Sequence, residues 1–300
     1  LRKSDRADAD LDYTFAQVSV DKAVVSYGGN CGNISSGVGP FAIEKKLVPV
    51  LEGMTLVRIY NTNTGKVIQE EVPTRDGQVQ YDGDFRIAGV PGTAAPLKLK
   101  FVEPAGTLGK GLLPTGNPVD VLEVPGKGSL EVSLVDAANP LVFVRASDLG
   151  LAGTELPDAI NGNPELLRLL ETIRGLAAVK LGLCEKSEEA AWVTPGLPNT
   201  TSAGETIRKD QVDLTARMMS MQKAHPSYAM TGAMCTAAAA AAPGTLVQRV
   251  FRPDGDLKNI RIGHPGGILP CGVDWKENGP VPEIVDTFGY RTANLLLEGL

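Results

Sequence analysis

Histidine is nearly missing, with two among 300 residues, and the four cysteines form no C-x-x-C pair. Without that spacing, and with only two histidines, no typical structural zinc site is expected, and four Cys in a chain of this length make no disulfide framework. No metal is therefore expected, and a reducing, cytoplasmic setting is. Basic runs are missing as well. None exceeds Lys45-Lys46, and 29 Lys plus Arg against 35 Asp plus Glu leave a net charge of −6, which argues against nucleic acid as a partner. The longest apolar stretch, Ala233 to Ala242, is stopped by Pro243 at about half a membrane span, so no membrane helix is expected. Leu1 begins no signal-peptide pattern, because Arg2, Lys3, Asp5 and Arg6 stand where an apolar core should be. With Leu1 rather than Met in first place, the chain reads as an internal piece whose site residues need not all lie within it.

What the chain does contain is punctuation. Thirty-four Gly and 21 Pro separate short β-branched runs: Thr55 to Tyr60, Lys66 to Val72, Leu97 to Val102, Ser129 to Val135 and Leu141 to Val144. These predict strands joined by turns, with Asn63-Thr64-Gly65 as a hairpin signal. Helical spacing or composition marks Asn33 to Leu47, Asn163 to Leu181 and Gly232 to Ala242, and a last helix is expected over Gly289 to Glu298. The second opens with Asn163 as N-cap, Pro164 in first position and Glu165 in the first turn. Many strands with a few helices between them predict an α+β fold, and the length suits about two domains.

An internal repeat gives those domains a relationship. Val18-Ser19-Val20-Asp21-Lys22-Ala23 is echoed about 200 residues later by Met219-Ser220-Met221-Gln222-Lys223-Ala224. Cys31-Gly32 follows the first Ser and Thr231-Gly232 the second at nearly equal distance, each opening a small-residue helix. Beyond each helix a strand is expected at a glycine, Gly53 to Val57 and Gly244 to Val247. The common order predicts two related domains.

The chemistry follows from the turn Gly28-Gly29-Asn30-Cys31-Gly32-Asn33, set between an expected strand, Lys22 to Ser26, and the first helix. Glycine lets a ligand approach the backbone, and the free N–H groups of a first helical turn form an anion cradle. Thr231-Gly232-Ala233-Met234 offers a second. Under a pseudo-twofold the two helix ends face one cleft, each holding one carboxylate of a small dicarboxylic acid; alternatively, both are merely structural turns. Cys31 in the first cradle is suited to return a proton to a carbanion held by the amides, with a dianionic ligand keeping the proton on sulfur. Cys184 and Cys235 are expected in the core. His264-Pro265-Gly266-Gly267 reads as a tight turn between strands Asn259 to Ile262 and Ile268 to Cys271, with His264 at the cleft edge. His225 reads as a surface or packing residue.

Gly29-Asn30-Cys31-Gly32-Asn33 and Ser35-Ser36-Gly37-Val38-Gly39-Pro40-Phe41-Ala42-Ile43 resemble the 2-methylaconitate isomerase and methylitaconate Δ-isomerase family, which shares the diaminopimelate-epimerase-like fold. Tyr13 to Val18, Tyr60 to Lys66, Leu112 to Gly116, Ala138-Asn139-Pro140, Gly263 to Gly267 and Arg291-Thr292-Ala293 carry the same resemblance along nearly the whole chain. It implies two pseudo-symmetric domains, each a curled sheet around a central helix, with the site between them. Residues 1–128 would be the remainder of an N-terminally truncated first domain, 129–285 the second, and 286–300 a C-terminal helix returning to the first. The implied activity is cofactor-independent isomerisation of unsaturated di- or tricarboxylates through a dienolate, with no partner but the substrate and homodimerisation left open. An oxalomesaconate-type tautomerase and a non-catalytic dicarboxylate-binding protein are the alternatives. Cys31 is the implied catalytic residue, with a lysine upstream of Leu1 as its partner; Lys3 is not that lysine. Ser19, Asn30, Gly32, Asn33, Thr231, Gly232, His264, Gly266 and Gly267 are the candidate substrate-binding residues. Two departures matter. True epimerases carry a second Cys where this chain has Thr231, which disfavours racemisation, and the family more often has Ser in place of Gly266.

Overall fold

A computed structural model describes residues 1–18, 23, 25–204 and 210–296. The first half runs β1 (Arg2–Lys3), β2 (Leu11–Tyr13), the hairpin β3 (Gln17–Val18) and β4 (Val25–Ser26), α1 (Gly32–Ser35), α2 (Val38–Glu44), β5 (Gly53–Asn61), β6 (Lys66–Arg75), β7 (Gln78–Val79) and β8 (Leu97–Val102). The second runs β9 (Asp120–Val124), β10 (Gly128–Ala137), β11 (Asn139–Arg145), α3 (Pro157–Asn161), α4 (Pro164–Leu181), α5 (Ala190–Val193), β12 (Asn199–Gly204), β13 (Leu214–Ser220), β14 (Lys223–Ala224), α6 (Met230–Ala241), α7 (Leu246–Val250), β15 (Ile260–His264), β16 (Gly267–Lys276) and β17 (Glu283–Arg291). Among the described residues, 15 strands join into one sheet. Its path is β1-β2-β5-β6-β8 for the first half and β16-β15-β13-β12-β11-β10-β9 for the second, with β17 between β8 and β16.

The repeat is visible in the pairing. In the first half β2 runs parallel to β5 in the register Leu11↔Ile59, and β5 turns back into antiparallel β6. In the second, β13 runs parallel to β15 with Leu214↔Ile262, and β15 turns back into β16. A parallel pair needs a crossover connection, and α1 and α2 supply it in one half, α6 and α7 in the other. The same ionic fork locks both pairs. Arg58 holds Asp10 through its own N–H (2.8 Å), Nε (3.3 Å) and Nη2 (2.7 Å), and its Nη1 donates to the Ala7 carbonyl. Arg261 repeats each contact on Asp213, at 2.8, 3.2 and 2.9 Å, and its Nη1 donates to the Asp210 carbonyl.

Central helix α6 is buried from Met230 to Ala240 and packs against β10, β11, β16 and β17, so the second half of the sheet wraps it. A helix that is apolar on every side can be stable only inside a core, and alanine keeps it thin enough for the strands to close. Helix α4, capped by the Asn163 side chain on the Leu166 N–H, covers an outer core with β9, β10 and β11.

Local details depart from expectation in several places. The helix expected from Asn33 is two short ones separated at Gly37. Of the strand expected over Lys22 to Ser26, Ala23, Val25 and Ser26 fall within the described residues, and Val25–Ser26 is strand. The strand expected at Gly244 to Val247 is a helix instead, because Thr245 caps it by accepting the Gln248 N–H at 3.1 Å. Finally, no helix covers Gly289 to Leu296; Gly289 to Arg291 end β17, paired with Leu97 to Leu99, and residues 292–296 are irregular. The run from Ile284 to Phe288, rich in β-branched and aromatic residues, commits this segment to the sheet, so it returns to the first half as a strand. The β9–β10 hairpin also straddles the boundary expected at 128 and 129. Cys235 and Cys271 are buried as core residues, whereas Cys184 is partly exposed.

Helix α2 lies on β6 through a buried carboxyl. Glu70 is fully buried, its Oε2 accepts the Gly39 N–H at 2.8 Å, and Oε1 has no hydrogen-bond partner. A Cβ on Gly39 would lie 2.6 Å from that Oε2, so only glycine fits. Burial pushes the Glu70 carboxyl well above its ordinary value of 4.5, partly offset by the Gly39 hydrogen bond. The unfolded chain loses this proton first as pH rises, so stability is full below about 4.5 and falls as pH climbs towards the folded value. Glu70→Gln removes that dependence. Its stability relative to the parent, measured by urea unfolding, is expected to rise with pH above 4.5 by at most about 1.4 kcal/mol per unit. A difference unchanged between acidic and alkaline buffer would exclude a titrating Glu70.

Candidate active site

The N-termini of α1 and α6 meet. A Cβ on Gly32, first residue of α1, would lie 2.7 Å from Cβ of Met230, first residue of α6, so the absence of a side chain at 32 is what permits the contact. Beside this junction opens a cavity of about 530 Å3. Its wall includes Asn30, Cys31, Gly32 and Asn33 from the first half, with Asn139, Thr231 and Ser220 from the second. Cys31 is the N-cap residue of α1, in extended conformation and partly exposed, and its own side chain makes no capping hydrogen bond. Helix α1 is a single turn, so its unbonded N–H groups matter here rather than a macrodipole. Helix α6 is 12 residues long and begins at the cavity.

One amide joins the two halves of the site. Asn139 Nδ2 donates to the Asn30 carbonyl at 2.9 Å and to Thr231 Oγ1 at 3.1 Å, while Asn139 Oδ1 accepts the Asn30 N–H at 3.1 Å. Asn30 Oδ1 in turn accepts from Asn61 Nδ2 at 3.0 Å and lies 3.2 Å from Ser35 Oγ. All of these residues are buried. Because Thr231 Oγ1 accepts from Asn139, its own O–H remains available to a ligand.

Not every expected residue reaches this cavity. Ser19 lies outside the described residues. Gly232 does not line the first cavity, and a Cβ on it would meet the Met218 sulfur at 2.6 Å, so that face of the residue is packed. Gly266 lies in the turn between β15 and β16 and Gly267 opens β16, and neither lines the first cavity. His264 is buried, and it lines a second cavity of about 230 Å3 that shares Asn33 and His225 with the first. His264 Nδ1 accepts the Gly266 N–H at 3.1 Å and faces Ser227 Oγ at 3.2 Å. Burial, helped by Arg217 and Arg291, pushes it down to about 4, so it is neutral at pH 7.

Three residues the sequence reading left out of the site belong to its walls. Asn139 has a signal in hindsight, since asparagine is depleted in strands and this one begins β11. His225, expected as a surface or packing residue, lines both cavities, and burial pushes it down. Arg291, at the end of β17, donates from Nε to Asn33 Oδ1 at 2.8 Å and from Nη1 to the Tyr290 carbonyl at 2.9 Å. Burial lowers it to about 10 against the raising influence of the Cys31 and Cys271 thiols. Among the described residues no group of three His, Cys, Asp or Glu could hold a metal ion, and no helix is long and apolar enough to cross a membrane.

Replacing Asn139 by Ala leaves the Asn30 N–H and carbonyl buried and unpaired. Its stability in urea unfolding is expected to drop by about 2–4 kcal/mol. A drop below about 0.5 kcal/mol would mean that the two halves are held together without this amide.

The 3-methylitaconate isomerase of Eubacterium barkeri is 48% identical over 307 aligned residues, covering 99% of this chain and 80% of that protein. The 2-methyl-aconitate isomerase of Shewanella oneidensis is 39% identical, covering 100% of this chain and 79% of that one. The crystal structure of a methylitaconate-delta-isomerase superposes with a TM-score of 0.82 at 46% identity, over 97% of this chain and 78% of that one. The model of the PrpF protein family matches residues 1–300, and with relatives this similar over almost the full length the chain belongs to the PrpF family.

Proposed function

We propose that this protein is a cofactor-independent isomerase of unsaturated di- or tricarboxylates, of the 2-methylaconitate or methylitaconate type, with Cys31 as an acid–base residue. The observation that carries the reading is the position of Cys31 at the junction of two helix N-termini, on the wall of a cavity large enough for a small organic acid. Removal of an allylic proton leaves a carbanion whose charge spreads through the double bond onto a carboxylate as a dienolate. Bond rotation followed by reprotonation at the original carbon, or reprotonation at the far allylic carbon, then gives the isomer, and the proton count is unchanged. The free N–H groups of the first turns of α1 and α6 and the Thr231 hydroxyl are suited to hold the carboxylate oxygens where that charge develops, often the largest catalytic contribution.

Cys31 exchanges the proton on one face of the ligand. A single sulfur serves one face, and the position matching the second cysteine of true epimerases is Thr231, a poor proton carrier. That favours isomerisation over racemisation. No lysine lines the cavity among the described residues, so the lysine partner implied by the resemblance is not among the described groups of the wall. The relatives named for methylitaconate and methylaconitate isomerisation support the same substrate class.

Proton NMR in deuterium oxide, following 2-methylaconitate, methylitaconate and oxalomesaconate separately, tests the reading. Deuterium is expected to enter an allylic position of one acid, and Cys31→Ser to slow this by about 10²- to 10⁴-fold. Exchange unaffected by the substitution would remove Cys31 from the mechanism. No exchange into any acid would leave a binding protein without this chemistry.

A further inference from the structure

The first cavity, as described, has an unusual electrostatic character for a polyanion site: no Lys, Arg, Asp or Glu lines it among the described residues. Amides, hydroxyls and backbone N–H groups can hold two carboxylates, but nothing on that wall supplies a formal positive charge for a third. The adjoining second cavity has the opposite character. Arg291 and Arg86 line it, together with Ser227 and His264, and no Asp or Glu does. Neither arginine has an ion-pair partner among the described residues.

Arg291 is half-buried, and a desolvated guanidinium without a counter-charge is costly unless an anion joins it. Its partners among the described residues are neutral, the Asn33 side chain and the Tyr290 carbonyl, and they engage Nε and Nη1. Nη2 has no partner among the described residues, which suits one arm of the fork that arginine offers a carboxylate. Neutral His264 adds a donor. With Nδ1 accepting from Gly266, the ring proton resides on Nε2, which has no acceptor among the described residues. The two cavities share Asn33 and His225 as a common wall, and Asn33, which Arg291 holds at 2.8 Å, lies two residues after Cys31.

We propose that the second cavity is a carboxylate subsite, with Arg291 as its principal cation and Arg86 at its mouth, and that it takes the third carboxylate of a tricarboxylate whose reacting end lies at Cys31. This rests on the reading of the first cavity as a carboxylate site. Arg291 and Arg86 then set the preference for tricarboxylates over dicarboxylates. Dicarboxylates fill only the first cavity and do not use the arginines.

Calorimetric titration with two saturated acids that cannot undergo a double-bond shift, tricarballylate and methylsuccinate, measures this preference without turnover. The parent is expected to bind one tricarballylate per chain. The ratio of the two affinities is expected to fall about 10-fold or more in Arg291→Gln. It should fall about 3-fold in Arg86→Gln, where an exposed residue is changed and folding is not at stake. Equal losses for both acids, unchanged ratios in both variants, binding of neither acid by the parent, or two tricarballylates per chain would each overturn the subsite. Deuterium exchange keeps the two conclusions apart. Exchange by the parent with an unchanged ratio overturns the subsite alone, whereas an Arg291-dependent ratio without exchange supports the subsite and overturns the isomerase.

Discussion

Everything at the site depends on one side-chain amide. Asn139 meets the backbone of Asn30 with both its donor and its acceptor, as a neighbouring strand would, and spends its remaining proton on Thr231. The loop carrying Cys31 is thereby fixed to the start of α6 across the boundary between the two halves. An amide can do this because it offers two donors and an acceptor in one plane. Neither a carboxylate nor a hydroxyl of similar size has that set, and an aliphatic side chain would leave a buried peptide unpaired.

Behind the site lies a scaffold built twice. The forks Arg58 on Asp10 and Arg261 on Asp213 sit at the same point of the same parallel pair in each half. The Asp213 carboxylate is also reached by Arg252 at 3.2 Å, so its buried charge is shared by two cations. Such a pair specifies register more than it adds stability, since desolvation offsets much of the attraction. Here the register matters, because a slip of one residue would turn every side chain of β5 or β15 to the wrong face. The halves then diverge where function differs: a one-turn helix with a thiol at its cap in the first, a long alanine helix with a threonine in the second.

The legibility of the chain follows the range of its interactions. The turn around Cys31, the cap at Asn163 and most strands were readable because a few neighbouring residues determine them. The repeat was also readable, although its most specific mark, an Asp and an Arg at the same spacing in both halves, went unnoticed among ordinary surface charges. Asn139 and Arg291 act on residues far away in the chain, Asn30 and Asn33, and neither has a local pattern that announces the contact. The expected final helix failed for a related reason. Its alanine and leucine content is helical in isolation, whereas the β-branched and aromatic residues just before it find two strands to pair with. Gly232 and Gly266 show the converse limit: a glycine beside a helix end or in a turn looks the same in sequence whether it faces a ligand or a methionine.

The position of β17 has a consequence for assembly in time. It is the last strand of the described chain, yet it occupies the seam of the sheet, hydrogen-bonded to β8 on one side and β16 on the other. As the polypeptide emerges from a ribosome, each half can gather its own helix early, but the edges that will become the seam stay open until this strand arrives. Arg291 travels on the same strand. The step that closes the sheet therefore also delivers the cation behind Asn33, and a nascent chain that has not closed offers an incomplete site.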